Sequence, residues 1–474
     1  QNSDNFMTGS LITRLTNDIT QIQNMIMMTL RMCLRSPGIL IGAMVMAFVI
    51  SPKLAAIFII VLPVLAVLIV VIMRRAFPQF RTLQEKLDAL NSCIQEGLVG
   101  IRLIKSFVRG DYEEMRFEKR NQQLKEANLT AMKTMLLYTP LMTLALNITT
   151  VVVVWSGGNM IVAGNMQVGD LTAFTNYIVQ IMSSLTMLSI AFLNWARAIA
   201  SFRRVGEVLD EKIDLTDENA KHKDRAVCEG SVEFQNVSFR YYKNSPEWVI
   251  ENISFKLEAG KTLGIIGSTG SGKSTLVSMI PRLYDTDEGA VLVDGINVRD
   301  YGLKPLREGI GMVLQNNTLF SGSITENLKW GDEHADEKAV RKAAQNAQAA
   351  GFIDSFKDGY RTRLEQSGNN VSGGQKQRLC IARALLKCPK ILILDDSTSA
   401  VDTATERAIR EALHSEYKDM TKIIIAQRIR SVMDADEILV LDNGKTAGFG
   451  THEQLLADCP VYREIYDVQN GREE

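Results

Sequence analysis

Nine consecutive residues carry the most specific chemistry in the chain: Gly267-Ser268-Thr269-Gly270-Ser271-Gly272-Lys273-Ser274-Thr275. Their spacing is G-x-x-x-x-G-K-[ST], a phosphate loop. The glycines let backbone N–H groups turn inward around phosphate oxygens. Lys273 adds a point charge at the β- and γ-phosphates, and the Ser274 hydroxyl can ligate Mg²⁺. A second element lies far downstream. Ile391-Leu392-Ile393-Leu394 is a short apolar run that ends in Asp395, and Asp396 follows. Such a run suits a buried parallel strand that delivers a carboxylate to a metal ion at its C-terminal end. The expected ligands are ATP and Mg²⁺.

These groups need particular elements to position them. Residues 263–266 form a short apolar strand that enters the phosphate loop. A helix after the loop would offer its positive N-terminal end to phosphate. Between the two motifs sits Val371-Ser372-Gly373-Gly374-Gln375-Lys376-Gln377-Arg378. Ser372 can cap a helix running to about Lys387, where Pro389 bars continuation. Gly373 and Gly374 keep that N-terminus open to an anion. From Ser231 onward the pattern is short β runs and amphipathic helices, with strands at 232–239 and 248–257. Residues 230–474 therefore read as an α/β P-loop nucleotide-binding domain.

The first 200 residues differ. Uncharged stretches there give four candidate spans, about 24–50, 54–75, 134–162 and 171–196, against the roughly 20 apolar residues a spanning helix needs. An all-α transmembrane helical domain over 1–209 follows, joined to the second domain by a linker at 210–229. Nine of the 15 residues from Glu211 to Arg225 are charged, the composition of a solvated boundary. The polar stretch 74–133 holds twelve Lys or Arg against eight Asp or Glu, which places it in the cytoplasm. Leu83, Leu87, Leu90, Ile94 and Leu98 recur on one helical face. A second helical pattern runs from about Tyr112, and Gly110-Asp111 breaks the two. Over the whole chain 53 basic residues balance 54 acidic ones, a net charge of −1 that gives no support to nucleic-acid binding. Six cysteines without CxxC spacing argue against a disulfide framework or a zinc site.

A membrane region followed by phosphate loop, Ser372–Gln375 and acid-ended strand resembles the ATP-binding cassette (ABC) transporters. The domain order looks like an exporter half-transporter in the plasma membrane, with its ATPase domain cytoplasmic. Residues 9–18, Glu96, Gly97, Gly100 and 105–107 resemble the family's intracellular loops. On that alignment two membrane helices that normally precede Gln1 are absent. The resemblance implies that Tyr241 stacks on adenine, with Tyr242 a rival. It implies that Gln315 reaches Mg²⁺ and senses the membrane domain. Ser372, Gly373, Gly374 and Gln375 would bind the γ-phosphate of ATP held by the other subunit. Asp402, in Ser399-Ala400-Val401-Asp402, would cross between the two ATP sites.

Two departures stand out. The family usually has Glu directly after the metal-binding Asp, as general base. Here Asp396 is one methylene shorter, about 1.5 Å less reach. The family usually has His after a later strand. This chain reads Ile423-Ile424-Ile425-Ala426-Gln427, and its four histidines lie at 222, 334, 414 and 452. Gln366 replaces a glutamate expected before Ser372. The resemblance then implies a heterodimeric exporter, in which this chain's own ATP site is degenerate and its Ser372–Gln375 segment serves a consensus site on a second half-transporter. A homodimer with a working Asp396, and an ATP-gated membrane protein, are the alternatives. Spans with aromatics (Phe58, Tyr138, Trp155, Phe174, Tyr177, Phe192, Trp195) and few charges suit hydrophobic or amphipathic cargo; contact with the lipid bilayer explains them equally well.

Overall fold

Apolar and charged residues segregate along the sequence, and the chain divides accordingly. A helical unit spans Phe6–Glu211 and an α/β unit runs from Lys212 onward. The computed structural model describes residues 6–243, 245–396 and 401–471, with side chains throughout these except at 33, 189–197 and 200. Ser399 and Ala400, and the side chains of Phe192 and Trp195, lie outside what is described.

The helical unit is built on long helices: Thr8–Ile50, Pro52–Val99 and Gly110–Val162, then Val168–Leu209. The first three are long and apolar enough to cross a membrane. Their apolar surface stays largely outside: Ile59, Ile60, Val151 and Trp155 are all exposed. Such an outward apolar face suits lipid as the solvent. Inside, small Ala43 and Ala47 let helices approach, and Phe58 stacks on Phe174 at 5.5 Å between centroids. These two rings are core, not cargo-facing. Ser51 starts the second helix by accepting the Leu54 N–H at 3.4 Å, with Pro52 preset for the first turn.

The expected break at Gly110-Asp111 falls earlier. Gly110 begins a helix, and the chain turns at Val108, which takes a left-handed φ of 52°. Asp111 and Glu113 then sit in the helix's first turn, where negative charge is favoured. Arg116 crosses back to Glu96 and ties this helix to its neighbour.

Residues Arg14–Asp18 form a π-helical turn within the first helix. Asp18 is only 2% exposed, yet it carries a carboxylate. Ser201 Oγ donates to it at 2.8 Å, and Arg204 donates through Nε at 2.8 Å and through Nη2. Arg14 pairs with Glu207 at 3.3 Å. The first and last helices of the unit are thus clasped by charge.

The charged 210–229 segment lies where the chain passes from one unit to the other, and most of its residues are exposed. Residues 210–229 are rich in charge, but their backbone is fastened to the α/β unit. His222 N–H donates to the Asp300 carbonyl at 2.7 Å, and Cys228 N–H donates to the Asp294 carboxylate at 2.7 Å. Charged side chains face water while the N–H groups find acceptors.

The α/β unit holds twelve strands among its described residues: β1 Val232–Phe239, β2 Ile250–Leu257, β3 Thr262–Gly267, β4 Glu288–Val293, β5 Ile296–Asn297, β6 Ile310–Val313, β7 Gly322–Ser323, β8 Arg363–Leu364, β9 Ile391–Asp395, β10 Thr421–Ile425, β11 Glu437–Asp442 and β12 Lys445–Gly450. The main sheet has the order β12-β11-β3-β10-β9-β6, parallel except at β12. A second sheet, β2-β1-β4-β5, is antiparallel. Phe234, Ile253, Leu263 and Leu276 belong to one core joining the two sheets. A helical layer that includes Gly373–Leu386 packs a second core against β9.

The clasp generates a prediction. Arg204 is 47% exposed at its side chain and Asp18 3%. Removing Arg204 strands a buried carboxylate, whereas removing Asp18 frees an arginine that can reach water. Arg204→Ala should cost about 1–3 kcal/mol, Asp18→Asn less, and the double variant should recover part of the loss. Thermal unfolding in detergent micelles checks the order; Asp18→Asn as the costlier change would contradict it.

Candidate active site

Parallel pairing decides where the polar residues meet. β3, β10, β9 and β6 run side by side in one direction, so their C-terminal ends share one edge. β3 ends in Gly267 and the phosphate loop. β9 ends in Asp395. Gln427 lies two residues past β10, and Gln315 two past β6. A cavity of about 320 Å³ opens at this edge. Tyr241, Lys273, Ser274, Gln315, Asp396 and Gln427 all line it, with Thr269, Gly270, Gly272, Thr275 and Asp395. Eleven residues from five separate segments of the chain thereby line one cavity.

The loop's shape needs glycine at two points. Gly270 and Gly272 have φ of 87° and 89°. A Cβ on Gly272 would also meet Ile250 Cγ2 at 2.6 Å. Lys273 folds back over the loop: its Nζ donates to the carbonyls of Gly267 at 2.8 Å and Ser268 at 2.7 Å. Gly267, Ser268 and Ser271 thus shape the loop rather than line the cavity. Burial pushes the Lys273 ammonium below its usual range, against the opposing pull of Asp396 and Asp395. A phosphate would supply the missing counter-charge.

Ser274 Oγ donates to Asp395 Oδ1 at 3.0 Å. Asp395 is 3% exposed, and burial raises its carboxyl above the usual range. A desolvated carboxylate beside a hydroxyl is a hard oxygen pair. It fits Mg²⁺, which takes one or two protein ligands and completes its shell with phosphate oxygens and water. Among the described residues no group of three or more His, Cys, Asp or Glu could hold a metal unaided.

Asp396 departs from the strand with a left-handed φ of 46°, a conformation that Asp tolerates better than most residues. Its N–H donates to the Ile425 carbonyl at 3.0 Å. Gln427 Nε2 donates to Asp396 Oδ2 at 2.7 Å, and the Gln315 side chain also hydrogen-bonds this carboxyl. Burial raises the Asp396 carboxyl; the Gln427 bond and the Lys273 charge work against it. A carboxylate near phosphate can accept a proton from water. Its glutamine neighbour can only donate N–H or accept at its carbonyl.

Tyr241 also lines the cavity. Its hydroxyl and Thr275 Oγ1 are 2.8 Å apart, and its ring makes edge contacts with Phe239 and Tyr284. That holds the ring at the cavity wall while leaving it 47% exposed. Tyr242 is outside the cavity lining.

Ser372 to Gln375 and Asp402 do not line this cavity. Ser372 caps the helix Gly373–Leu386 as expected: its Oγ accepts the Gln375 N–H at 3.3 Å, and Gln375 Oε1 accepts the Ser372 N–H at 2.9 Å. Ser372 and Gly373 are exposed. Asp402 caps the helix Thr403–Glu416, accepting the Thr405 N–H at 3.0 Å.

Two supporting residues escape motif reading. Gln377 is 1% exposed and donates to the Asp396 carbonyl at 3.2 Å, linking the Ser372 helix to the acid. Its signal in the sequence is a glutamine on the otherwise apolar buried face of that helix. Gln469, on the helix Pro460–Asn470, donates to the Gln427 carbonyl at 2.8 Å and accepts the Ile429 N–H at 2.8 Å. Nothing in the local sequence marks it.

Comparison with known proteins agrees with this geometry. Residues 1–185 match the ABC transporter transmembrane region, and residues 250–399 match the ABC transporter family. The chain is 42% identical over 468 residues to the ABC transporter ATP-binding protein YfiB of Bacillus subtilis, covering 99% of this chain and 81% of the relative. It is 36% identical to the putative multidrug export ATP-binding/permease protein YgaD of the same organism, over 98% of this chain and 80% of that one. A solved bacterial Atm1-family ABC exporter with ATP bound superposes with a TM-score of 0.84 at 27% identity, covering 98% of this chain and 80% of the other. An ATPase domain with a phosphate loop on a parallel sheet, carried behind membrane-length helices, makes this chain a member of the ABC transporter family.

Proposed function

We propose that the chain is one half of a heterodimeric ABC exporter that moves a hydrophobic or amphipathic solute out across the plasma membrane, with its ATPase unit in the cytoplasm. Its own cavity holds ATP and turns it over slowly. Its Ser372–Gln375 segment and Asp402 serve a faster site on a second half-transporter. The alignment of the chain with a putative multidrug exporter supports the cargo class. Tyr241 would stack on the base, the phosphate loop and Lys273 would hold the phosphates, and Ser274, Asp395 and Gln315 would face Mg²⁺. When bound, the ion neutralises charge developing on the phosphate oxygens.

One observation carries the slow-site reading: the hydrogen bond between Gln427 and Asp396. Hydrolysis requires a water oxygen to attack the γ-phosphorus while a base takes its proton and the bridging oxygen leaves. Asp396 is the carboxylate in place, and its reach is short by one methylene. Oδ2 already accepts an N–H from Gln427, and Gln315 also binds the carboxyl. Burial raises its basicity, and these bonds to the charged form oppose that rise. Gln427 cannot relay a proton, and the four histidines of the chain lie elsewhere.

The reading has direct tests on the purified chain in lipid nanodiscs. Fluorescent ATP should bind, and Lys273→Ala should abolish that binding. ATPase of the chain alone should be slow, and Asp396→Glu with Gln427→His should raise it about 10²-fold, the lower range for a positioned base. In the complex with a second half-transporter carrying Glu and His, Asp396→Asn should change turnover little. Changing that other half's glutamate should stop it. Fast hydrolysis by the chain alone that Asp396→Asn removes would overturn the assignment.

A further inference from the structure

The opposite edge of the main sheet holds a cavity that nucleotide chemistry does not use. It measures about 840 Å³ and lies between β10, the helix Thr403–Glu416 and residues 430–435. Its size falls within the usual range for small-molecule sites. β10 is a central strand, flanked by β3 and β9. Such strands are normally apolar throughout. This one carries Lys422, 5% exposed, on the cavity wall.

Lys422 is poorly matched to its surroundings. Its Nζ donates to the Met420 carbonyl at 2.9 Å, and an ammonium has three donors. Asp436 lies within electrostatic range, but that carboxylate already accepts from Lys261 Nζ and the Thr262 N–H, each at 2.8 Å. Asp419 is the other acid near it. Burial pushes the Lys422 ammonium below its usual range. Arg410, on the facing helix, repeats the mismatch. Its Nη1 donates to the Arg430 carbonyl at 2.7 Å and pairs with Asp434 at 3.5 Å, while its Nε is buried without a hydrogen-bond partner. Four cationic side chains line the cavity against two carboxylates, Glu411 and Asp434. Leu413, Ile424 and Met433 supply apolar wall.

We propose that this cavity binds a small amphipathic phosphomonoester, with its dianion on Lys422 and Arg410 and its apolar body against Ile424 and Leu413. The surplus of two positive charges matches a phosphate dianion, and two buried donors await acceptors. A bare anion would leave the apolar wall wet, and a neutral body would leave the donors unmet. The helix on one side is capped by Asp402, and the strand on the other leads to Gln427.

Phenyl phosphate is a suitable probe, measured by saturation-transfer NMR on the full chain in nanodiscs. A non-hydrolysable ATP analogue with Mg²⁺ keeps the phosphate loop occupied. Phenyl phosphate should bind, with phenol and inorganic phosphate each at least about tenfold weaker. Lys422→Met keeps the side chain's length and should weaken phenyl phosphate about tenfold or more. Ile424→Trp should block the cavity by volume. Both variants should still bind the ATP analogue, which reports folding. No binding of phenyl phosphate to the unaltered chain, or equal binding by both variants, would overturn the proposal.

Discussion

The arrangement rests on one constraint: β10 hydrogen-bonds in parallel to both β3 and β9. Parallel neighbours present the same end on the same side. With Ile425 registered opposite Asp395 and Ile265, the residues just past each strand arrive at one level. Phosphate loop, acid and glutamine then meet, and the Ser274–Asp395 and Gln427–Asp396 hydrogen bonds join them. The strands are buried on both faces, so a slip in register would displace apolar side chains from two cores at once. Fold and site share one determinant.

At that edge, the chemistry turns on short distances between groups of unequal capacity. Asp396 is backed by amides, from Gln427, Gln315 and, through its carbonyl, Gln377. Amides orient a carboxylate well and accept no proton from it. The side chains around Asp396 therefore orient the carboxylate rather than exchange protons with it. The same four strands that would serve a fast ATPase serve a binding site equally well, since nothing in the sheet depends on which side chain follows Asp395.

Much of this was legible in the sequence where the chemistry is local. The phosphate loop, the apolar strand ending in Asp395, and the Ser372 cap each occupy fewer than ten residues and have few alternatives. Tertiary partners were not legible. Asp18 finds Arg204 across 186 residues, and Gln377 finds Asp396 across 19. A single polar residue on a buried face has no periodic signature. Composition marked 211–225 as a solvated boundary but could not show that the backbone there is fastened to the α/β unit. Gly110 suggested a helix break, yet Val108 makes the turn and Gly110 opens the next helix. Of the aromatic residues considered for cargo, Phe58 and Phe174 are spent on each other.

Gln469 grips the backbone on both sides of Arg428, taking the carbonyl of Gln427 with its amide nitrogen and the N–H of Ile429 with its oxygen. One side chain from the helix Pro460–Asn470 therefore splints the backbone on which Gln427 sits. The tail of the domain is thus a brace for the cavity edge, reaching back 42 positions along the chain.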